Sequence, residues 1–141
     1  MYSIGALSKL TQTKVPTIRY YETIELLSKP ERNRGGQRVY DETGVKRLKF
    51  IRHMRALGFS IENIRSVLIL SERPDMPCDQ AHEITSLRLT QVQAKIAALS
   101  SLEQELIRIT KLSDSGVLGT CRVIESLGDH SACLDAHSEI D

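Results

Sequence analysis

Residues 79 to 112 contain no glycine and no proline, and this constrains the chain more than any other feature. Within the stretch, Leu89, Val92, Ile96, Leu99, Leu102, Leu106 and Ile109 recur every three or four positions, which draws one apolar stripe along a single continuous helix. A lone helix gains too little from its own hydrogen bonds to hold such a stripe in water. No other segment is long enough to cover it, so the stripe predicts a seam between two copies of the chain.

Charge divides the chain at about the point where this helix begins to be needed. The overall balance is +1, yet residues 1 to 70 carry 13 Lys and Arg against 6 Asp and Glu, a net of +7, while residues 71 to 141 carry 6 against 12, a net of −6. A basic half joined to an acidic half is the pattern of a nucleic-acid-binding unit attached to a unit with another task.

The basic half reads as short helices with one hairpin. Ser3 to Leu10 places Ile4, Leu7 and Leu10 on one helical face, and Thr11-Gln12-Thr13 interrupts it with weak helix formers. A second helix begins near Lys14, tolerates Pro16 in its first turn, and runs through Thr17-Ile18-Arg19-Tyr20-Tyr21-Glu22. Two short helices joined tightly form a helix-turn-helix, and the second presents Lys14, Thr17, Arg19 and Tyr20, side chains able to meet phosphates and base edges in a major groove. Lys29 to Tyr40 follows as a basic wing: Gly35-Gly36 marks the turn, Arg32, Arg34 and Arg38 line it, and Tyr40 closes it.

Two more helices complete this unit. Asp41 caps one in which Val45, Leu48, Phe50, Ile51 and Met54 recur up to Gly58; Ser60 starts the next, with Ile61, Ile64, Val67 and Leu68 apolar. Pro74 and Pro77 end it. The expected organisation is therefore a mainly α chain: a winged helix-turn-helix domain over 1–70, a linker over 71–78, a dimerisation helix over 79–112, a loop and short helix over 113–128, and a polar, acidic, mobile tail over 129–141.

Several function classes are excluded on the same residues. The longest apolar run, Val67 to Leu70, is far too short for a membrane span, and the first residues lack a basic and then apolar leader, so a cytoplasmic location is expected. No nucleophile and base stand at motif spacing and no glycine-rich phosphate loop occurs, which argues against an enzyme. Cys78, Cys121 and Cys133 are odd in number and widely spaced, so a disulfide framework is not expected; metal ligation, thiol redox chemistry and plain packing remain open.

The chain resembles the MerR family of bacterial transcription regulators, in its metal-responsive branch. The resemblance rests on Ile4-Gly5 with Leu7, Thr17 to Glu22, Leu26-Leu27, Gly35 to Tyr40, Leu48 to Arg52, and Leu57 to Ser60 with Ile64, in that order. It implies a homodimer whose long helices pair antiparallel, bound to double-stranded promoter DNA in an overlong spacer. Effector binding then distorts that spacer so that RNA polymerase can start transcription. It carries DNA contact over to Arg19, Tyr20, Arg34, Arg38 and Tyr40; Lys14 and Thr17 rest on helix position alone.

The resemblance also implies an effector site. Cys78 matches the cysteine at the head of the dimerisation helix and Cys121 the second loop cysteine, whereas the first loop position falls on Ser113, a poor ligand for soft metals. A divalent ion of the zinc, cadmium, lead or mercury class is the implied effector, held by Cys78 of one protomer and Cys121 of the other, with Cys133, His130 and His82 as further candidates. A thiol-based redox or electrophile sensor and an effector-free architectural DNA-binding dimer are the alternatives.

The seam generates the first test. Burying an unpaired charge there costs on the order of several kcal/mol, enough to compete with association. Ile96→Glu should therefore sediment as a monomer or aggregate; a normal dimer would refute the seam.

Overall fold

The computed structural model describes residues 1–112, 116 and 121–128. The chain divides into two units, Met1–Ile84 and Thr85–Asp141.

The first unit opens with a two-residue strand, β1 (Tyr2–Ser3), followed by α1 (Ile4–Thr11) and α2 (Val15–Thr23). Ser3 caps α1 through its hydroxyl, which accepts from the Ala6 amide at 3.1 Å. The turn between the helices is made without glycine: Gln12 takes a left-handed φ of 52°, and the Thr13 amide returns to the Ser8 carbonyl. Lys14 is the N-cap of α2 with no side-chain cap bond, and Pro16 sits in the first turn, where no amide donor is required.

The hairpin follows as β2 (Glu31–Arg32) and β3 (Arg38–Tyr40), then α3 (Glu42–Ala56) and α4 (Ile61–Ser71). Asp41 caps α3 and Ser60 caps α4, each accepting an amide three residues on. Gly58 ends α3 with φ 85°, a conformation that only glycine adopts freely, and the Phe59 amide then reaches back to the Met54 carbonyl.

One small core holds these elements together. Leu7 of α1, Ile18 of α2, Leu26, Leu48 and Ile51 of α3 and Ile64 of α4 are fully buried. The turn after α2 is fastened to the later helices through its carbonyls: Arg65 donates to Ile24 at 2.6 Å and Arg47 to Leu26 at 2.8 Å. A backbone turn that would otherwise need water is satisfied from α3 and α4.

Three local expectations need correction. The hairpin is not self-contained, because β1 pairs antiparallel with β3, Tyr2 opposite Tyr40, giving a three-stranded sheet of order β1-β3-β2. Leu10 and Phe50 point outward, since the core takes one residue per turn of α1 and α3 and those two fall off that line. Ile109 is only 5% exposed in the single chain, so its burial does not wait for a partner.

The long helix is α5 (Asp79–Thr110), and a short α6 (Arg122–Gly128) follows. Leu89, Ile96, Leu99 and Leu106 of α5 lie exposed, Ile96 at 62%, while Val92 and Leu102 are half-buried. Near its end, Glu105 is buried and accepts from Arg108, whose guanidinium also donates to the Ser126 hydroxyl of α6 at 2.7 Å. A buried carboxylate paired in this way ties α6 to α5. No helix among the described residues is long and apolar enough to cross a membrane.

Candidate nucleic-acid interface and effector residues

The 3.6-residue period of α2 separates two faces. Ile18, Tyr21 and Glu22 turn inward, so Arg19 and Tyr20 between them must turn outward. Tyr20 is 53% exposed, a large aromatic surface that the protein itself leaves uncovered. Lys14 is exposed at the head of the helix and Thr17 is half-buried beside it. Lys14, Arg19 and Tyr20 thus line the solvent side of the helix expected to enter the groove.

The wing tip is braced from within. The Asn33 side-chain carbonyl accepts from the Gly35 and Gln37 amides, each at 3.0 Å, and the Asn33 backbone exchanges hydrogen bonds with Gly36 and Gln37. Arg32 donates to the Gly36 carbonyl at 2.6 Å. Arg34 stands exposed at the tip of this turn.

The base of the wing differs from the sequence expectation. Tyr40 is only 3% exposed, and its hydroxyl donates to Glu22 of α2. Its ring belongs to the same core cluster as Leu7, Ile18 and Leu48, so Tyr40 is not displayed beside Arg34 as a backbone contact. Arg38 is half-buried and pairs through Nε with the second Glu22 oxygen at 3.2 Å. Glu22 therefore joins the recognition helix to the wing. Its one signal in the sequence was a carboxylate among the cations of the basic half, next to Tyr21, at a position where a solvated acid would repel DNA.

The effector candidates are placed only in part. Cys78 is exposed immediately before α5, and its carbonyl accepts the His82 amide at 2.9 Å; His82 is exposed as well. Cys121 is half-buried immediately before α6. Ser113, His130 and Cys133 lie outside the described residues. Two thiols suit a soft divalent ion in their donor chemistry, but among the described residues no three His, Cys, Asp or Glu side chains are grouped to hold one. A complete site is therefore not made by the described residues of a single chain.

A short helix with outward basic and aromatic side chains, set beside a braced arginine-bearing hairpin, defines a winged helix-turn-helix nucleic-acid-binding protein. Residues 2–69 match the MerR HTH family regulatory protein family, and residues 45–109 match the family described as MerR, DNA binding. The chain is 39% identical over 134 residues to the HTH-type transcriptional regulator ZntR of Escherichia coli K12, covering 90% of this chain and 92% of that protein. It is 32% identical over 127 residues to the mercuric resistance operon regulatory protein of Bacillus cereus, covering 89% and 96%. The crystal structure of PbrR691 from Ralstonia metallidurans CH34 in complex with lead(II) superposes with a TM-score of 0.76 at 35% identity, covering 90% of this chain and 99% of that one. The chain belongs to the MerR family of transcription regulators, and its relatives are regulators, not enzymes.

The Tyr40 environment generates a pH prediction. Burial raises the phenol above its usual value of 10.0, and the Glu22 hydrogen bond and negative charge raise it further. A raised folded-state value means that the contribution is complete below the unfolded value and is lost as pH climbs through the folded one. Tyr40→Phe should cost about 1–3 kcal/mol at neutral pH. In urea unfolding at fixed protein concentration, that deficit should hold to about pH 10 and shrink above it. A deficit that stays level to pH 11 would contradict the assignment.

Proposed function

We propose that this protein is a homodimeric transcription regulator that binds promoter DNA with α2 and the wing and responds to a soft divalent metal ion of the zinc, cadmium, lead or mercury class. One observation carries the reading: an exposed thiol, Cys78, stands at the head of a helix whose Leu89, Ile96, Leu99 and Leu106 lie exposed in the single chain. The helix that needs a second copy and the residue suited to a soft ion are thus one element, so binding at its end can act on how two protomers pair. Relatives support the metal: one is a mercuric resistance regulator, and the PbrR691 structure holds lead(II).

In this reading the α5 helices pair antiparallel, and Cys78 of one protomer and Cys121 of the other supply thiolates to a shared site. The remaining donor is sought among His82, beside Cys78, and His130 and Cys133, which lie outside the described residues, in place of Ser113. Arg19, Tyr20 and Arg34 face DNA, helped by Lys14 and Thr17; Arg38 contributes from the wing base, and Tyr40 holds that base in place. Effector binding changes the angle between the two DNA-binding units, which distorts an overlong promoter spacer and lets RNA polymerase engage.

Two measurements check the parts separately. Arg19→Ala should weaken binding to a duplex selected by the wild type and reduce the slope of log affinity against log salt by about 0.9, the value for one released phosphate counterion; an unchanged variant would remove Arg19 from the interface. Zinc or lead titrated into the reduced dimer should bind stoichiometrically with protection of Cys78 and Cys121 from thiol reagents. A heterodimer of Cys78→Ser with Cys121→Ser keeps one junction with both thiols and should bind roughly half the metal of wild type, given independent junctions. A site within one chain would bind none, and oxidation of the thiols without metal uptake would point to a redox sensor instead.

A further inference from the structure

A notch of about 290 Å³ opens between the end of α2 and the base of the wing, lined by Glu22, Thr23, Lys29, Pro30, Arg32 and Arg38. Three cations and one carboxylate share it. The carboxylate, however, is not presented to a visiting anion. Glu22 is only 9% exposed, one of its oxygens accepts from the Tyr40 hydroxyl, and the other accepts from Arg38 Nε at 3.2 Å. Arg38 keeps 31% of its side chain exposed. Nε is only one edge of the guanidinium fork, and the terminal amino groups are the edge that suits a phosphate. Arg32 is likewise held, by its bond to the Gly36 carbonyl at 2.6 Å. Fixing a long side chain before it binds removes the entropy it would otherwise lose on binding.

We propose that this notch receives one backbone phosphodiester of duplex DNA, taken by Lys29, Arg32 and Arg38, and that Glu22 is the positioning residue that aims Arg38 at it. The inference rests on the DNA-binding reading above. A phosphodiester in DNA is favoured over a free anion because the notch lies between the two elements that carry exposed Arg19 and Arg34, so a phosphate there extends the same surface. Glu22 also explains how an acid is tolerated on a face that must attract DNA: its charge is spent on aiming a cation.

The test uses the full-length dimer, a fluorescent duplex recovered by wild-type selection from random DNA, and a scrambled duplex of equal length. Glu22→Gln should weaken binding to the selected duplex about tenfold, since a charge-assisted hydrogen bond is lost. The salt slope should stay unchanged because the Arg38 charge remains, and binding to the scrambled duplex should weaken by a similar factor, because a phosphate contact is independent of base sequence. Arg38→Ala should lose affinity together with about 0.9 of slope, and the double variant should be no weaker than Arg38→Ala alone. Arg38→Lys, which keeps the charge without the fork, should behave like Glu22→Gln.

Tightening of Glu22→Gln on both duplexes would show that the acid merely repels DNA and would overturn the proposal. So would additive losses in the double variant, an Arg38→Ala slope equal to wild type, or a Glu22→Gln loss with a lowered Tm that Arg38→Lys does not share, the mark of a purely structural residue. Inorganic phosphate that binds the wild type without competing with the duplex would assign the notch to a free anion instead. A wild-type chain that enriches no duplex would overturn the DNA reading itself, whereas wild-type binding with an unchanged Glu22→Gln would sink the positioning role alone.

Discussion

Ile18 is fully buried in one core cluster with Leu7, Leu48 and Ile64, and this burial decides how the rest of the DNA-binding unit is displayed. With Ile18 turned inward on a nine-residue helix, Arg19 and Tyr20 have no direction left but solvent. The same burial seats the turn after α2, whose carbonyls at Ile24 and Leu26 are taken by Arg65 and Arg47. Removing large apolar side chains from such a small core typically costs about 2–5 kcal/mol, a large share of a domain's stability, so the display of the binding face and the survival of the fold are one property.

The second unit follows a different logic. Its long helix has little core within its own chain, and its exposed leucines and isoleucines leave it dependent on association. What the chain does satisfy internally is polar: the buried Glu105 carboxylate meets Arg108, and Arg108 meets Ser126, which fastens α6 near the end of α5. Burying a carboxylate is costly unless it is fully paired, so its presence makes the attachment geometrically specific. Cys121, directly before α6, thereby gains a defined anchor.

Glu22 and Tyr40 show how a regulator can build rigidity into a face that must stay charged. An exposed wing of two short strands would be a poor guide for arginines, because a two-stranded ribbon is marginal in water. Two devices stiffen it: the edge strand β1, and a carboxylate from the recognition helix that accepts from Tyr40 and Arg38 together. The helix and the wing are then held together as one piece.

Residues 79–112 by themselves determined a long helix, because helical periodicity and the absence of glycine and proline are local properties that need no partner to be read. The cap at Asp41, the helix start at Ser60, the stop at Gly58 and the outward placement of Arg19 and Tyr20 were equally legible, each set by a few neighbouring residues. The tertiary structure alone decided that Tyr2 pairs with Tyr40, that Tyr40 lies in the core, and that Glu22 takes Arg38 as its partner. Those contacts span 38, 18 and 16 positions of chain with no spacing rule to announce them. They exist only once the core has brought β1, α2 and β3 together, and a carboxylate that looks solvated in the sequence becomes buried there because two specific partners meet it.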